Sequence, residues 1–202
     1  MHYTTIVLKY RGITTITRQT LMLETRTLAI ATHDAPILHQ RAQEVGDIQV
    51  HAIQTLLDEM LTTMQAANGV GIAAPQVFVP LRIIIVASQP NKRYPDAPFM
   101  EPIAMINPEI LWQSDTTCSG WEGCLSVPDT RAQVKRAERL RIRYWTRTGE
   151  QVEAEYSGFV ARIIQHECDH LDGILFPERL EDPTETVSEA VFQQMETMRL
   201  AH

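Results

Sequence analysis

Between Ile48 and Ala67 the apolar residues Ile53, Leu56, Leu57, Met60, Leu61 and Met64 recur at helical spacing, and the pattern stops at Asn68-Gly69, a pair that ends helices. This predicts an N-terminal amphipathic helix that leads into the glycine-rich segment Gly69 to Gln76. The continuous apolar run Ile83 to Val86 predicts a buried strand over 82–87, with a second over 103–111. Pro90, Pro95, Pro98 and Pro102 punctuate the polar stretch between them, so Gln89 to Pro102 reads as a surface loop.

Alternation replaces helical spacing further along. Arg139, Arg141 and Arg143 interleave with Leu140, Ile142 and Tyr144, which predicts a strand over about 138–146 with one wet, cationic face. A partner strand over 151–157 follows a turn at Thr148-Gly149. A helix over about 159–171 comes next, and the tail from Thr184 to Leu200 reads as helical after Pro183. The order helix, strands, helix, tail helix argues for an α+β fold with mostly antiparallel sheets.

The chemistry concentrates in Gln165-His166-Glu167-Cys168-Asp169-His170. Two histidines four apart on a helix share one face, so both reach one divalent ion, and the glutamate between them offers a base for an activated water. A third ligand decides between this reading and two histidines on an ordinary amphipathic helix. In metzincins it follows a glycine placed as Gly173 is here, but that ligand position is Phe176 and the match fails. Upstream, Glu122-Gly123-Cys124-Leu125-Ser126 offers a thiolate in a short turn-like stretch. Cys124 with His166 and His170 makes three ligands and leaves one tetrahedral position open, as catalytic sites do. Gly69-Val70-Gly71-Ile72-Ala73-Ala74-Pro75-Gln76 has small residues that allow close backbone approach and an amide, Gln76, able to donate to a carbonyl oxygen. It lacks the lysine and third glycine of nucleotide-binding loops.

These three segments together resemble the signature motifs of the peptide deformylases, G-x-G-x-A-A-x-Q, E-G-C-L-S and Q-H-E-x-D-H, in the family's order and over about Leu28 to Leu180. The resemblance implies a hydrolase that removes the N-formyl group from the initiator methionine of nascent polypeptides, with antiparallel sheets packed around a central metal-binding helix. It implies that Cys124, His166 and His170 hold the metal, that Glu167 shuttles the proton, and that Gln76 and the backbone N–H of Leu125 bind the formyl oxygen. Gly71 would meet the substrate main chain. Val70, Phe159 and Ile163 are candidates for the methionine pocket, with Gly120 and Arg162 at its margin and Arg131 near the peptide. Core packing is an equal reading of Phe159 and Ile163. An apolar residue is common in the family where this chain has Arg162, whose stem would wall the pocket while the guanidinium reaches solvent or a substrate carbonyl. Fe(II) is the implied physiological ion, and the donor types also accept Zn(II), Ni(II) or Co(II). A metallopeptidase and a noncatalytic binding protein are the rival classes for the same residues.

The chain has 202 residues and a formal net charge of −7, which disfavours binding of DNA by its whole surface. The basic stripe from Arg131 to Arg147 reads first as a solvated strand face and second as a transient ribosome contact. Three cysteines do not make a disulfide framework; Cys118 and Cys168 read as packing residues. Residues 1–27 read as an N-terminal extension, of which the part before Met22 precedes the natural start, or else as a mitochondrial transit peptide, and 28–202 as a single catalytic domain. No apolar run is long enough for a membrane span. A monomeric, cytoplasmic bacterial enzyme is the expectation, mitochondrial if the extension is a transit peptide.

Overall fold

The computed structural model describes residues 26–90, 94, 97–182 and 184–200. The expected N-terminal extension lies outside the described residues, apart from Arg26 and Thr27. Helix α1 (His51–Ala66) ends where the apolar pattern stops: Asn68 takes a left-handed conformation at φ 53° and the Gly69 N–H donates to Met64 O at 2.9 Å. Strands β1 (Gly71–Ala73), β2 (Ile83–Ser88) and β3 (Met100–Gln113) follow. With β6 (Arg139–Trp145) and β7 (Gln151–Ser157) they form a five-stranded antiparallel sheet in the order β1-β2-β3-β6-β7.

The apolar run in β2 is continuous because both of its faces are covered. Ile83 and Ile85 pack with Leu57, Met60 and Met64 of α1, while Ile84 and Val86 pack with Ala161, Ile164 and Leu171 of α2 (Gly158–Leu171). The cationic face of β6 is wet as expected, but Arg141 pairs with Glu155, Arg143 with Glu109 and the nearby Arg147 with Asp58.

A second sheet was not apparent in the hydrophobic pattern. Strands β4 (Thr117–Cys124) and β5 (Val127–Ala137) form a hairpin across Leu125-Ser126, and β8 (Thr186–Val187) adds to β5. The tail helix α3 (Glu189–Leu200) therefore starts later than Thr184, because the β-branched pair Thr186-Val187 is taken up by β5. Cys118 is exposed on β4, a correction to its assignment as packing, whereas Cys168 is buried as expected.

Helix α2 lies between the sheets, and every residue from Ala161 to Leu171 is buried. Gln165 fastens it to β5, accepting from Ala137 N–H at 3.1 Å and donating to Ala137 O at 2.9 Å. Its C-terminus closes with Gly173 at φ 76°, Gly173 N–H donating to His170 O and Ile174 N–H to Asp169 O. Gly173 is thus a helix stop, and Phe176 stacks on the His166 ring with centroids 6.1 Å apart.

A Cβ on Gly173 would come within 2.8 Å of the backbone at His39 and Gln40, in a left-handed conformation that disfavours side chains. Gly173→Ala is expected to destabilise the fold by about 2–4 kcal/mol, measured by urea unfolding.

Candidate metal centre

The end of β4 meets the inward face of α2, which brings one sulfur against two imidazoles. Cys124 Sγ lies 3.2 Å from His170 Nε2, and the donor atoms of Cys124, His166 and His170 all fall within 4.8 Å of one another. All three residues are buried. His166 Nδ1 is 2.9 Å from Glu122 Oε2, which leaves its Nε2 for an ion. One thiolate and two imidazoles at this separation fit a single divalent transition-metal ion with a coordination position to spare.

The protein favours the charged sulfur. Burial opposes ionisation of Cys124, but His170 and His166 outweigh it and hold the thiol well below its ordinary range. Burial would likewise lower His166, yet its Cys124 and Glu122 contacts raise it well above the usual imidazole value. Ser126 N–H and Gln76 Nε2 also point at the sulfur, at 3.3 and 3.4 Å. The Gln76 amide can face only this way, because its Oε1 accepts from Ala73 N–H at 2.8 Å.

Glu122 is the hub behind the ligands. β4 places Gly120, Glu122 and Cys124 on one face by its two-residue period. The Glu122 carboxylate accepts from Arg136 twice at 2.9 Å, from Arg162 at 2.9 Å and from His166 at 2.9 Å. Burial pushes its pKa up, but the His166 and Arg136 bonds prevail and hold it well below the usual carboxylate range. Arg136 also reaches Asp169 Oδ2, to which Arg179 donates as well.

Arg162 turns inward, away from the solvent or substrate carbonyl expected for it. Its guanidinium donates to Glu122 and to the carbonyls of Cys118, Gly120 and Val134 at 2.6–3.2 Å. Gly120 sits directly against it, since a Cβ there would lie 2.9 Å from Arg162 Cζ. Arg131 is also covered, at 0% exposure, and paired with Glu189.

In front of the ligands opens a small cleft. Val70, Gly71, Gln76, Leu125, Phe159, Ile163 and Glu167, all chosen from sequence, line it with Tyr94 and Trp121, which were not. Burial pushes the Glu167 carboxyl up to about 7, and its Oε2 is buried without a hydrogen-bond partner. Strand β1 runs so close that a Cβ on Gly71 would collide with this carboxyl. Sequence reasoning gave Glu122 and Arg136 no role. The alternation Ala132, Val134, Arg136 along β5 was a usable signal that Arg136 faces inward.

A family model described as polypeptide deformylase matches residues 27–186. Peptide deformylase 2 of Nostoc sp. is 49% identical over 162 residues, 80% of this chain and 90% of the relative. Peptide deformylase 2 of Shewanella oneidensis is 47% identical over 156 residues, 77% of this chain and 86% of that protein. Among solved structures, the Met-Ala-Ser-bound class I type b peptide deformylase of Acinetobacter baumannii superposes with a TM-score of 0.76 at 52% identity, covering 77% of this chain and 99% of that one.

The Arg162 guanidinium cannot swing aside without abandoning Glu122 and three strand carbonyls. Gly120→Ala is therefore expected to cost about 1–3 kcal/mol of stability, read by chemical denaturation.

Proposed function

The chain belongs to the polypeptide deformylase family, a family of metal-dependent hydrolases, and from that premise we propose specific roles for the residues around its metal centre. The chain removes the N-formyl group from the N-terminal formylmethionine of newly made polypeptides and releases formate. Cys124, His166 and His170 hold the ion. When bound, it supplies Lewis acidity, which lowers the pKa of water toward neutrality and polarises the formyl oxygen. The observation that carries this reading is the unpartnered, buried Glu167 Oε2 in the same cleft as a Cys-His-His donor set.

Glu167 takes a proton from the attacking water and delivers it to the departing amine, so water and formamide become formate and a free N-terminus. Its raised pKa suits both halves of that transfer. Gln76 Nε2 and Leu125 N–H face the formyl oxygen, where negative charge grows in the tetrahedral intermediate; one such donor is worth about 2.7–4 kcal/mol. Gly71 meets the substrate main chain, which its missing side chain allows without displacing Glu167. Val70, Phe159 and Ile163 receive the methionine side chain. The ion in this reading is Fe(II), and the same donor types also accept Ni(II), Co(II) or Zn(II). That Acinetobacter baumannii protein was solved with Met-Ala-Ser, the tripeptide that deformylation of its formyl form would leave, which supports a peptide substrate here. No described helix is long and apolar enough to cross a membrane. A cytoplasmic monomer that meets its substrate as it leaves the ribosome completes the reading.

Formate release from formyl-Met, N-acetyl-Met and unformylated peptides, on anaerobically prepared protein loaded with each metal in turn, tests the reading. Turnover is expected only with the formyl peptide and faster with Fe(II), Ni(II) or Co(II) than with Zn(II). Cleavage of the unformylated peptide would mark a metallopeptidase instead.

Glu167→Ala is expected to keep its metal, by elemental analysis, while losing about 10²–10⁴ in kcat. Cys124→Ala should lose metal and activity together.

A further inference from the structure

Tyr94 enters the cleft from the proline-rich segment between β2 and β3, and its position is held from the opposite end of the chain. Its ring packs on Phe159 with centroids 5.0 Å apart. Its hydroxyl accepts from Arg131 Nη1 at 2.8 Å. The same guanidinium donates from Nε and Nη2 to both carboxylate oxygens of Glu189, at 2.7 and 3.2 Å, in the first turn of α3. Phe192, one turn further, lies under the Arg131 guanidinium at 4.6 Å and against the ring of Trp121, the other aromatic wall of the cleft, at 5.3 Å. The first turn of α3 is itself tied to β5, Glu189 N–H donating to Asp129 at 3.0 Å.

We propose that Tyr94 is a substrate-contacting wall of the deformylase cleft and that Arg131, anchored by Glu189, is the positioning residue that holds it there. The inference rests on the deformylase reading of the same site. A guanidinium with no exposed surface, shared between a bidentate carboxylate and a phenol, is spent on protein groups and is not offered to a peptide. What it does offer is a fixed ring. Tyr94 and Phe159 form an aromatic corner beside Ile163, and a thioether side chain gains favourable contacts with such rings. Gly123 is needed on the other side, where a Cβ would lie 2.7 Å from Arg131 Nε and push the strut out of line. The tail helix thereby becomes part of substrate recognition without touching substrate.

The test is steady-state formate release from formyl-Met-Ala-Ser by wild type, Tyr94→Ala, Tyr94→Phe, Arg131→Met, Glu189→Gln and the double variant Tyr94→Ala/Arg131→Met. Loss of the ring is expected to raise KM by about tenfold while kcat falls less, as for a group that binds ground and transition states alike. Tyr94→Phe, Arg131→Met and Glu189→Gln should each raise KM by about threefold, and Arg131→Met should add nothing once Tyr94 is alanine. An unchanged KM in Tyr94→Ala overturns the contact. Equal effects of Arg131→Met with and without the tyrosine ring overturn the strut. If Arg131→Met does not fold, the near-isosteric Glu189→Gln carries the same cycle with Tyr94→Ala. A wild type without turnover would refute the deformylase reading and this inference with it, whereas the ratios among variants of an active wild type bear on this inference alone.

Discussion

A helix that buries Arg162, Gln165, His166, Glu167, Asp169 and His170 in one stretch must find a partner for each of them, because an unpaired polar group in the interior costs about 1–3 kcal/mol and a charged one more. The second sheet exists in this fold to supply those partners. Gln165 finds the main chain of Ala137, His166 finds Glu122, Arg162 finds Glu122 and strand carbonyls, and Asp169 finds Arg136 and Arg179. On this helix the two buried side-chain atoms without a partner are Glu167 Oε2, which faces the cleft, and His170 Nδ1, on the ring whose Nε2 faces the sulfur; among the other described residues Ser88 Oγ on β2 is the third. On α2 itself, both such atoms belong to residues of the metal centre, while their polar neighbours along the helix are matched.

Two buried carboxylates shared by three guanidiniums make a network that is hard to alter piecemeal. Removing one partner from a buried pair typically costs about 3–5 kcal/mol, because the other charge stays behind without compensation. Glu122 thereby has a fixed orientation, and through its bond to Nδ1 it fixes the tautomer of His166 so that Nε2 faces the sulfur. A metal ligand with a rotating ring would bind more weakly; this one cannot rotate.

Local features of the site were legible in the chain itself. The spacing of His166 and His170 is a property of one helix, and Glu167 and Gly71 follow from motifs a few residues long. The roles that escaped depend on strand register, which no short window contains. Arg162 does line the cleft, but its guanidinium reads as reaching solvent or substrate until β4 and β5 lay the carbonyls of Cys118 and Val134 beside it. Arg131 and Arg136 read as members of a wet stripe because Glu189, Glu122 and Asp169 are 14 to 58 residues away along the chain. Tyr94 was hidden for the opposite reason: a proline-rich surrounding suggests a loop, and nothing in a loop's composition says that one of its rings turns inward.

The sulfur and the nearer strand of the centre precede His170 by 46 residues, with a hairpin and two further strands intervening. Closing a span of that length costs conformational entropy that grows with the logarithm of its length. During synthesis the thiol therefore emerges first and waits, and no partial product can grip an ion with three donors until α2 has docked. Any ion that binds only the closed arrangement tightens that closure by mass action. Maturation of this protein and its supply of metal are one equilibrium, and a scarcity of the ion would be felt as fragility of the whole chain before it was felt as slow turnover.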